Sequence, residues 1–463
     1  MTYVAPEAKE QVLSTLNRDG SRRWLRPKLS EGKHLRRRRV VAYTLILIFT
    51  AVPYVSLNGK PLFLLDVIER QFHLFGGTFY ATDTFLLMLF AVTALVGIFL
   101  LTAVFGRVWC GWGCPQTVYM EFLYRPLERW IEGGRGKQLA LDKSGPNGRR
   151  ILRYFVFFLV SMFLAHTFLA YFVGVDSLSQ WMTQSPLKHP VPFAVMAFVT
   201  FAMMVDFCYF REQMCLIACP YGRFQSVLLD QNSLIVAYDK DRGEPRGKLQ
   251  KNTGDTLPIL GDCINCHKCV TTCPTGIDIR DGLQMECINC TQCIDACNAV
   301  MDKIGRPQNL IRYSSQAKDS GLKPGLVRAR TLIYPVLILG LATAFFTVFL
   351  SSKSFDAVLL REPGNPYTLT DEGEVRNILK LKITNRTNQP MEFTLEAASP
   401  TTAKIELRES HCSVDPESAV TFHASVVADK SDFELGRANL QINISNQDQE
   451  RRTLNFKLIG PYN

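Results

Sequence analysis

Hydrophobic residues follow two regimes along this chain. Up to about residue 350 they gather in long apolar runs. Beyond about residue 353 they alternate with polar residues. Five runs, 39–57, 84–105, 151–175, 191–210 and 331–350, approach or exceed the length that crosses a bilayer. A single run of this kind fits a long buried core helix. Five predict an α-helical membrane domain with five spans, of which the first, interrupted by Pro53, is the least even. In the second regime Leu379/Leu381/Ile383, Met391/Phe393/Leu395, Val420/Phe422/Ala424/Val426, Leu440/Ile442/Ile444 and Leu454/Phe456/Leu458 occupy every second position. Turn signals such as Asn388-Gln389-Pro390 and Asp415-Pro416 separate some of them. Period-two alternation over short segments predicts half-buried strands, and several within about a hundred residues predict a β-sandwich.

Charge adds an orientation. The segment 1–39 carries eleven Lys and Arg, 58–83 two (Lys60, Arg70), 107–150 eight, 176–190 one (Lys188) and 211–330 sixteen. Basic residues accumulate on the cytoplasmic side of membrane spans, so this alternation predicts an inside N-terminus and an outside C-terminus. Arg36-Arg37-Arg38-Arg39, directly before the first run, then anchors the N-terminus in the cytoplasm. The net charge of +10 becomes a topology signal and does not call for nucleic acid. The first 35 residues are polar, with no short apolar core before a small-residue cleavage site, so a removable leader is not expected.

The chain accordingly divides into five segments. Residues 1–38 form a cytoplasmic tail and 39–230 a four-span membrane domain. Residues 231–330 form a cytoplasmic cysteine-rich domain, 331–350 a fifth transmembrane helix and 351–463 an exported β-domain. Lys248 to Gly261 reads as a loop within the cysteine-rich domain.

Thirteen of the fourteen cysteines fall on the predicted cytoplasmic side or at its membrane edge, where a reducing compartment keeps thiols available. Eight form two runs, Cys263-x2-Cys266-x2-Cys269-x3-Cys273-Pro274 and Cys287-x2-Cys290-x2-Cys293-x3-Cys297. This is the spacing by which bacterial ferredoxins hold two [4Fe–4S] clusters, the fourth cysteine of each run serving the other cluster. One cluster is then assigned to Cys263, Cys266, Cys269 and Cys297, the other to Cys287, Cys290, Cys293 and Cys273. Zinc ribbons normally use two separated cysteine pairs, and disulfides do not suit this compartment. The chain therefore moves single electrons.

A second pattern repeats at an offset of 105 residues. The first span pair ends Phe105-x4-Cys110-x3-Cys114-Pro115 and the second ends Phe210-x4-Cys215-x3-Cys219-Pro220, with Tyr119 and Phe224 corresponding. Internal repeats often place a site where the halves meet. Cysteines at i and i+4 share one face if the segment is helical, and thiolate pairs select cuprous copper or iron–sulfur centres over hard ions. A buried cysteine also packs as a small hydrophobe, which is the alternative for either copy and for Cys208. Gly111 and Gly113 loosen the first spacer relative to Leu216-Ile217-Ala218. His166 within the third span is a candidate proton, quinone or metal contact. His73 and His189 fall in outer loops. Asp206 lies near the inner end of the fourth span. Trp109, Trp112, Tyr119 and Trp130 suit an interfacial belt. Cys412, His411 and His423 in the β-domain carry no visible catalytic pattern.

Taken together, Trp109-Cys110-Gly111-Trp112-Gly113-Cys114-Pro115-Gln116, Cys215-Leu216-Ile217-Ala218-Cys219-Pro220 and the eight-cysteine run resemble the CcoG family, also called FixG or RdxA. These are accessory proteins of cbb-type cytochrome c oxidases, and the resemblance spans nearly the whole chain. It implies reduction of Cu(II) to Cu(I) for oxidase assembly, two [4Fe–4S] clusters, and Cys110, Cys114, Cys215 and Cys219 as the copper site. It further implies an immunoglobulin-like periplasmic domain, residence in the bacterial inner membrane, and copper chaperones or oxidase assembly factors as partners, with the electron donor unspecified. The shorter relative NapH shares the spans and clusters but lacks an exported domain like 353–463. A quinol dehydrogenase and a non-catalytic assembly scaffold are the alternatives.

Overall fold

The computed structural model describes the chain apart from residues 1–13, 18, 20, 58–59, 68–70, 75–76, 81–83, 146, 249–259, 324, 326, 351–353, 371, 388, 401, 408–411, 417, 448 and 462–463. His411, the start of the predicted tail and most of the predicted loop Lys248–Gly261 lie outside the described residues. The chain forms two compact units, 1–345 and 346–463.

Among the described residues, four helices are long and apolar enough to cross a membrane: Phe85–Phe105, Gly148–Val173, Pro190–Phe210 and Ala329–Phe349. The predicted run 39–57 is not a fifth of this kind. Helix α1 (Lys33–Ala51) takes in the Arg36–Arg39 run, so its apolar helical stretch begins only at Val40. It gives way to a 3₁₀ turn, Val52–Tyr54, with Pro53 at its start. Proline cannot donate the next helical hydrogen bond, which ends the regular helix. The segment nonetheless makes specific contacts. The Phe49 carbonyl accepts from the Tyr171 hydroxyl at 2.7 Å, near the far end of the third predicted span. Leu35 and Ala42 pack on Val118 and Phe122.

The predicted outer segment 58–83 is not merely a loop. It folds into an antiparallel sheet of β1 (Phe63–Asp66), β2 (Gln71–Leu74) and β3 (Gly77–Tyr80). Helix α2 (Thr84–Phe105) follows, then the short α3 (Val108–Trp112), α4 (Pro115–Tyr119), a π turn at Met120–Tyr124 and α5 (Arg125–Glu132). Helix α6 (Gly148–Val173), α7 (Val175–Met182) and α8 (Pro190–Val205) form the second hairpin. Two π turns, Asp206–Phe210 and Met214–Ala218, lead into α9 (Pro220–Leu228).

The cysteine-rich domain opens with β4 (Ile235–Tyr238) and closes with β5 (Ile311–Ser314), which pair antiparallel. Between them α10 (Lys268–Thr272) carries Cys269 of the first cysteine run, and α11 (Gln292–Ile304) carries Cys293 and Cys297 of the second. Helix α12 (Ala329–Leu350) then leaves this domain.

A buried ion network ties the helices at one end. Glu128 accepts from Arg26 at 2.5 Å, Arg211 at 2.7 Å and Arg153 at 3.0 Å, and Arg153 also meets Glu132 at 2.9 Å. Burial alone would raise the Glu128 carboxyl. Arg211 and Arg26, then Arg153, outweigh it and hold the group at about 2.

The second unit is the predicted sandwich. One sheet runs β9 (Lys404–Leu407), β11 (Ala419–Ala428), β7 (Val375–Asn385), β6 (Phe355–Arg361), and the other β10 (Ser413–Val414), β8 (Met391–Ser399), β12 (Arg437–Asn446), β13 (Arg451–Ile459). Leu379, Leu381, Ile383, Leu440, Ile442 and Ile444 are fully buried between them, as the alternation predicts. Cys412 is buried in this core. His423 faces Glu362, 3.6 Å away.

Candidate redox centre

The two cysteine runs share one backbone design. Each reads Cys-Ile-Asn-Cys-x-x-Cys, and the matched residues Asn265 and Asn289, and His267 and Thr291, all take positive φ of 52–62°. Such left-handed residues turn successive backbone N–H groups inward into a concavity that receives anions, including iron–sulfur centres. For Thr291, a β-branched residue, this conformation is strained, and strain of this kind concentrates at functional sites. Arg280 braces the first run, donating to Asn265 Oδ1 at 2.6 Å and meeting His267 Nδ1 at 2.9 Å while paired with Asp278. Asn289 Nδ2 braces the second by donating to the Leu234 carbonyl at 3.2 Å.

The sulfurs surround two neighbouring cavities. Cys263, Cys266, Cys269 and Cys297 line one, with Tyr238, Ile264 and Met301. Cys273, Cys287, Cys290 and Cys293 line the other, with Ile277, Ile279 and Ile288, and Cys269 touches both. Burial pushes Cys269, Cys290 and Cys297 up to about 12 and Cys287 up to about 11, so the bare thiols hold their protons at neutral pH. A soft metal centre must displace those protons to bind. Four sulfurs per cavity, apolar walls and inward N–H groups fit two [4Fe–4S] clusters. Cys266 is exposed, whereas Cys287 and Cys290 are buried.

The two Cys-x3-Cys-Pro motifs converge. Cys215 lies within electrostatic range of Cys114, Cys110 and Cys219, and Cys110 and Cys114 within range of Cys219. Burial, reinforced by these neighbours, raises Cys215 to about 12; burial raises Cys110 to about 11. The expected i, i+4 helical face is not what holds the pairs. Cys110 sits in α3, but Cys114 is extended at φ −64°, ψ 127°, and Cys219 at φ −73°, ψ 111°, each directly before a proline that opens the next helix. Proline disfavours a helical conformation in the residue before it, which turns both second cysteines out of line. Backbone N–H groups of Gln116 and Thr117 then point at the Cys114 sulfur. Among the described residues no three His, Cys, Asp or Glu side chains close to single-ion spacing.

Cys110 packs against Ile288 and Cys290 of the second cysteine run. Gly111 makes this possible. A Cβ there would overlap the Ile288 carbonyl oxygen and lie 2.9 Å from the Cys290 nitrogen. Gly111 therefore serves close approach and not a loose spacer. Gly106, at φ +59°, allows a similar close approach just upstream, against the Leu234 carbonyl. Two glutamines complete the site, Gln116 closing the first motif and Gln225 without a sequence signal. Gln225, fully buried, accepts from Cys110 Sγ at 2.9 Å and donates to the Tyr221 hydroxyl at 2.7 Å. Gln116 Nε2 donates to Asp206 Oδ1 at 3.0 Å and to the Arg211 carbonyl at 3.1 Å, joining the first motif to the approach of the second.

Other candidates fall elsewhere. Cys208 packs beside Tyr124, Phe157 and Phe207 and does not join the thiol group. Tyr119 is buried with Phe49 and does not join an interfacial belt, whereas Trp109 and Trp130 are exposed. His73 lies in β2 opposite Leu64 and Thr78. His166 and His189 share a cavity of about 320 Å³ between α6, α7 and α8, with Trp181, Met162 and Met196. His166 Nδ1 is 2.8 Å from the Met162 carbonyl, and His189 stacks on Trp181 at 4.7 Å.

Three family models match the chain. A 4Fe-4S dicluster domain covers residues 210–316, a 4Fe-4S binding domain covers 87–138, and the IG-like fold at the C-terminus of FixG covers 345–461. Protein RdxB of Cereibacter sphaeroides is 35% identical, covering 78% of this chain and 77% of that protein. RdxA of the same organism is 34% identical over 72% of each chain. The nitrogen fixation protein FixG of Rhizobium meliloti is 28% identical over 95% of this chain and 93% of that one. The chain belongs to the FixG, RdxA and RdxB family of iron–sulfur electron-transfer proteins.

Proposed function

We propose that the chain reduces Cu(II) to Cu(I) at its paired Cys-x3-Cys motifs, supplying cuprous copper for assembly of a cbb-type cytochrome c oxidase. The observation that carries this reading is the packing of Cys110 and Gly111 directly on the Ile288–Cys290 backbone. One soft-sulfur group thus abuts the cavity of the second cysteine run. Clusters bound by the eight cysteines supply one-electron storage. The exposed Cys266 makes the first cavity the side on which a cytoplasmic donor is met, and the buried second cavity is the side from which an electron leaves. The balance is one electron lost by the protein for each Cu(II) reduced. Paired thiolates favour the product because soft sulfur prefers Cu(I).

The double substitution Cys110→Ser, Cys215→Ser tests the site. Copper binding is lost while cluster absorbance stays. Stoichiometric copper in that variant would refute the assignment.

The cytoplasmic N-terminus and exported sandwich belong to this reading. Asp295 of α11 caps α1 through the Leu35 N–H at 2.8 Å, and Leu234 N meets the Val104 carbonyl at 3.3 Å. The start of α1 and the end of α2 therefore share one side with the cysteine-rich domain. The chain between them must travel out and return, which supports a crossing by α1 and the Pro53 turn despite its short helix.

A second reading, oxidation of a membrane quinol, is favoured by the His166–Trp181–His189 cavity, whose apolar walls and ring nitrogens suit a quinol headgroup. It predicts quinol-dependent cluster reduction that His166→Ala abolishes.

A further inference from the structure

Three of the four arginines in the Arg36–Arg39 run are exposed, as membrane-anchoring residues should be, but Arg38 is 1% exposed. Arg107, just before the first motif, is 4% exposed. Neither meets a carboxylate among the described residues, unlike the guanidiniums around Glu128. Arg38 Nη2 and Arg107 Nε are buried without a hydrogen-bond partner. A buried cation with no anion is costly, so its presence calls for a negative charge that the polypeptide itself does not provide.

Both side chains point to the same place. Arg38 Nε donates to the Gly111 carbonyl at 2.9 Å, on the turn that rests on Ile288–Cys290. Arg107 donates to the Met285 carbonyl, two residues before Cys287, and its Nη2 lies beside Gly222 just after the second motif. Arg107 lies within electrostatic range of Cys110 and Cys287, and Arg38 within range of Cys290. A [4Fe–4S] core bound by four thiolates is net anionic, and its potential responds to nearby charge. We infer that Arg38 and Arg107 are the built-in counter-charges of the cluster held by Cys273, Cys287, Cys290 and Cys293, raising its reduction potential at the junction with Cys110. This rests on the cluster assignment proposed above but not on copper as the final acceptor. The other cavity has Arg280 beside it, and that cation is already neutralised by Asp278 at 2.6 Å.

The test is a redox titration of the full-length protein in detergent, followed by electron paramagnetic resonance, with each cluster identified from Cys266→Ser and Cys287→Ser variants. Arg107→Gln should lower the reduction equilibrium constant of the Cys287 cluster at least about tenfold, ~59 mV for one electron. The Cys263 cluster should stay unchanged, and Arg107→Lys should keep the parent value. Arg38→Gln should shift the same cluster in the same direction and serves if Arg107→Gln loses iron. If both Gln variants lose that cluster while both Lys variants retain it, the counter-charge role also stands. Unchanged potentials, equal shifts of both clusters, or loss of iron in the Lys variants as well would overturn it. A parent protein lacking two clusters would instead defeat the cluster assignment itself.

Discussion

At the scale of single residues, Glu128 and Gly111 carry the sharpest consequences. Glu128 is almost fully buried and meets three guanidiniums. Its carboxyl is held at about 2 against an ordinary 4.5. A carboxyl with a depressed folded pKa adds stability above its unfolded value and loses it as pH falls through the folded one. The network should therefore contribute about 3 kcal/mol at neutral pH, an order of magnitude from 1.36 kcal/mol per unit, and lose it between about pH 4.5 and 2. Glu128→Gln strands the buried Arg211 and leaves Arg26 and Arg153 with only Asp142 and Glu132, and should destabilise the membrane unit by about 3–5 kcal/mol, read as a lower melting temperature in detergent. Gly111→Ala should leave iron content intact but push the first motif off Ile288. Misplacement by about an ångström can cost two orders of magnitude in rate, so electron delivery to the thiol pairs should slow by about 10- to 100-fold in stopped-flow. An unchanged rate would remove Gly111 as the contact that matters.

At the scale of elements, the first cysteine run leads through α10 and the second into α11, yet the two contribute sulfurs across each other's cavities. Cys273→Ser should therefore abolish the same resonance signal as Cys287→Ser, and Cys297→Ser the same signal as Cys263→Ser. Pairing within each run would give the reverse grouping. This arrangement was legible in sequence because cysteine spacing encodes the loop that wraps a cluster. The sandwich was legible for a related reason: Leu379, Leu381 and Ile383 alternate as a pleated strand demands. The first span is absent from the long apolar helices because Pro53 and the Arg run shorten its helix, and hydropathy averages over both. The helical i, i+4 reading of the Cys-x3-Cys pairs failed at the residue before proline, where backbone sterics override helix periodicity. Gln225 carried no signal, since a buried amide is recognised only once its partners are in place. The same is true of Arg38, indistinguishable from its exposed neighbours until α1 packs on the cysteine-rich domain.

At the scale of the whole molecule, the account requires a path from a cytoplasmic donor through two cavities to paired thiols at the membrane edge. It also requires the chain's two ends to lie on opposite sides of the membrane. Reporter fusions at the N-terminus and after residue 463 should report cytoplasmic and exported locations respectively, and a shared side would exclude the broken α1 crossing. The direct test of the central claim is anaerobic. The protein is reduced, freed of excess reductant and mixed with Cu(II) in the presence of a cuprous-specific chelator. The account predicts one Cu(I) formed for each electron lost from the clusters, with both signals changing together. Clusters that stay reduced in the presence of Cu(II), or Cu(I) appearing at the same rate without them, would contradict it.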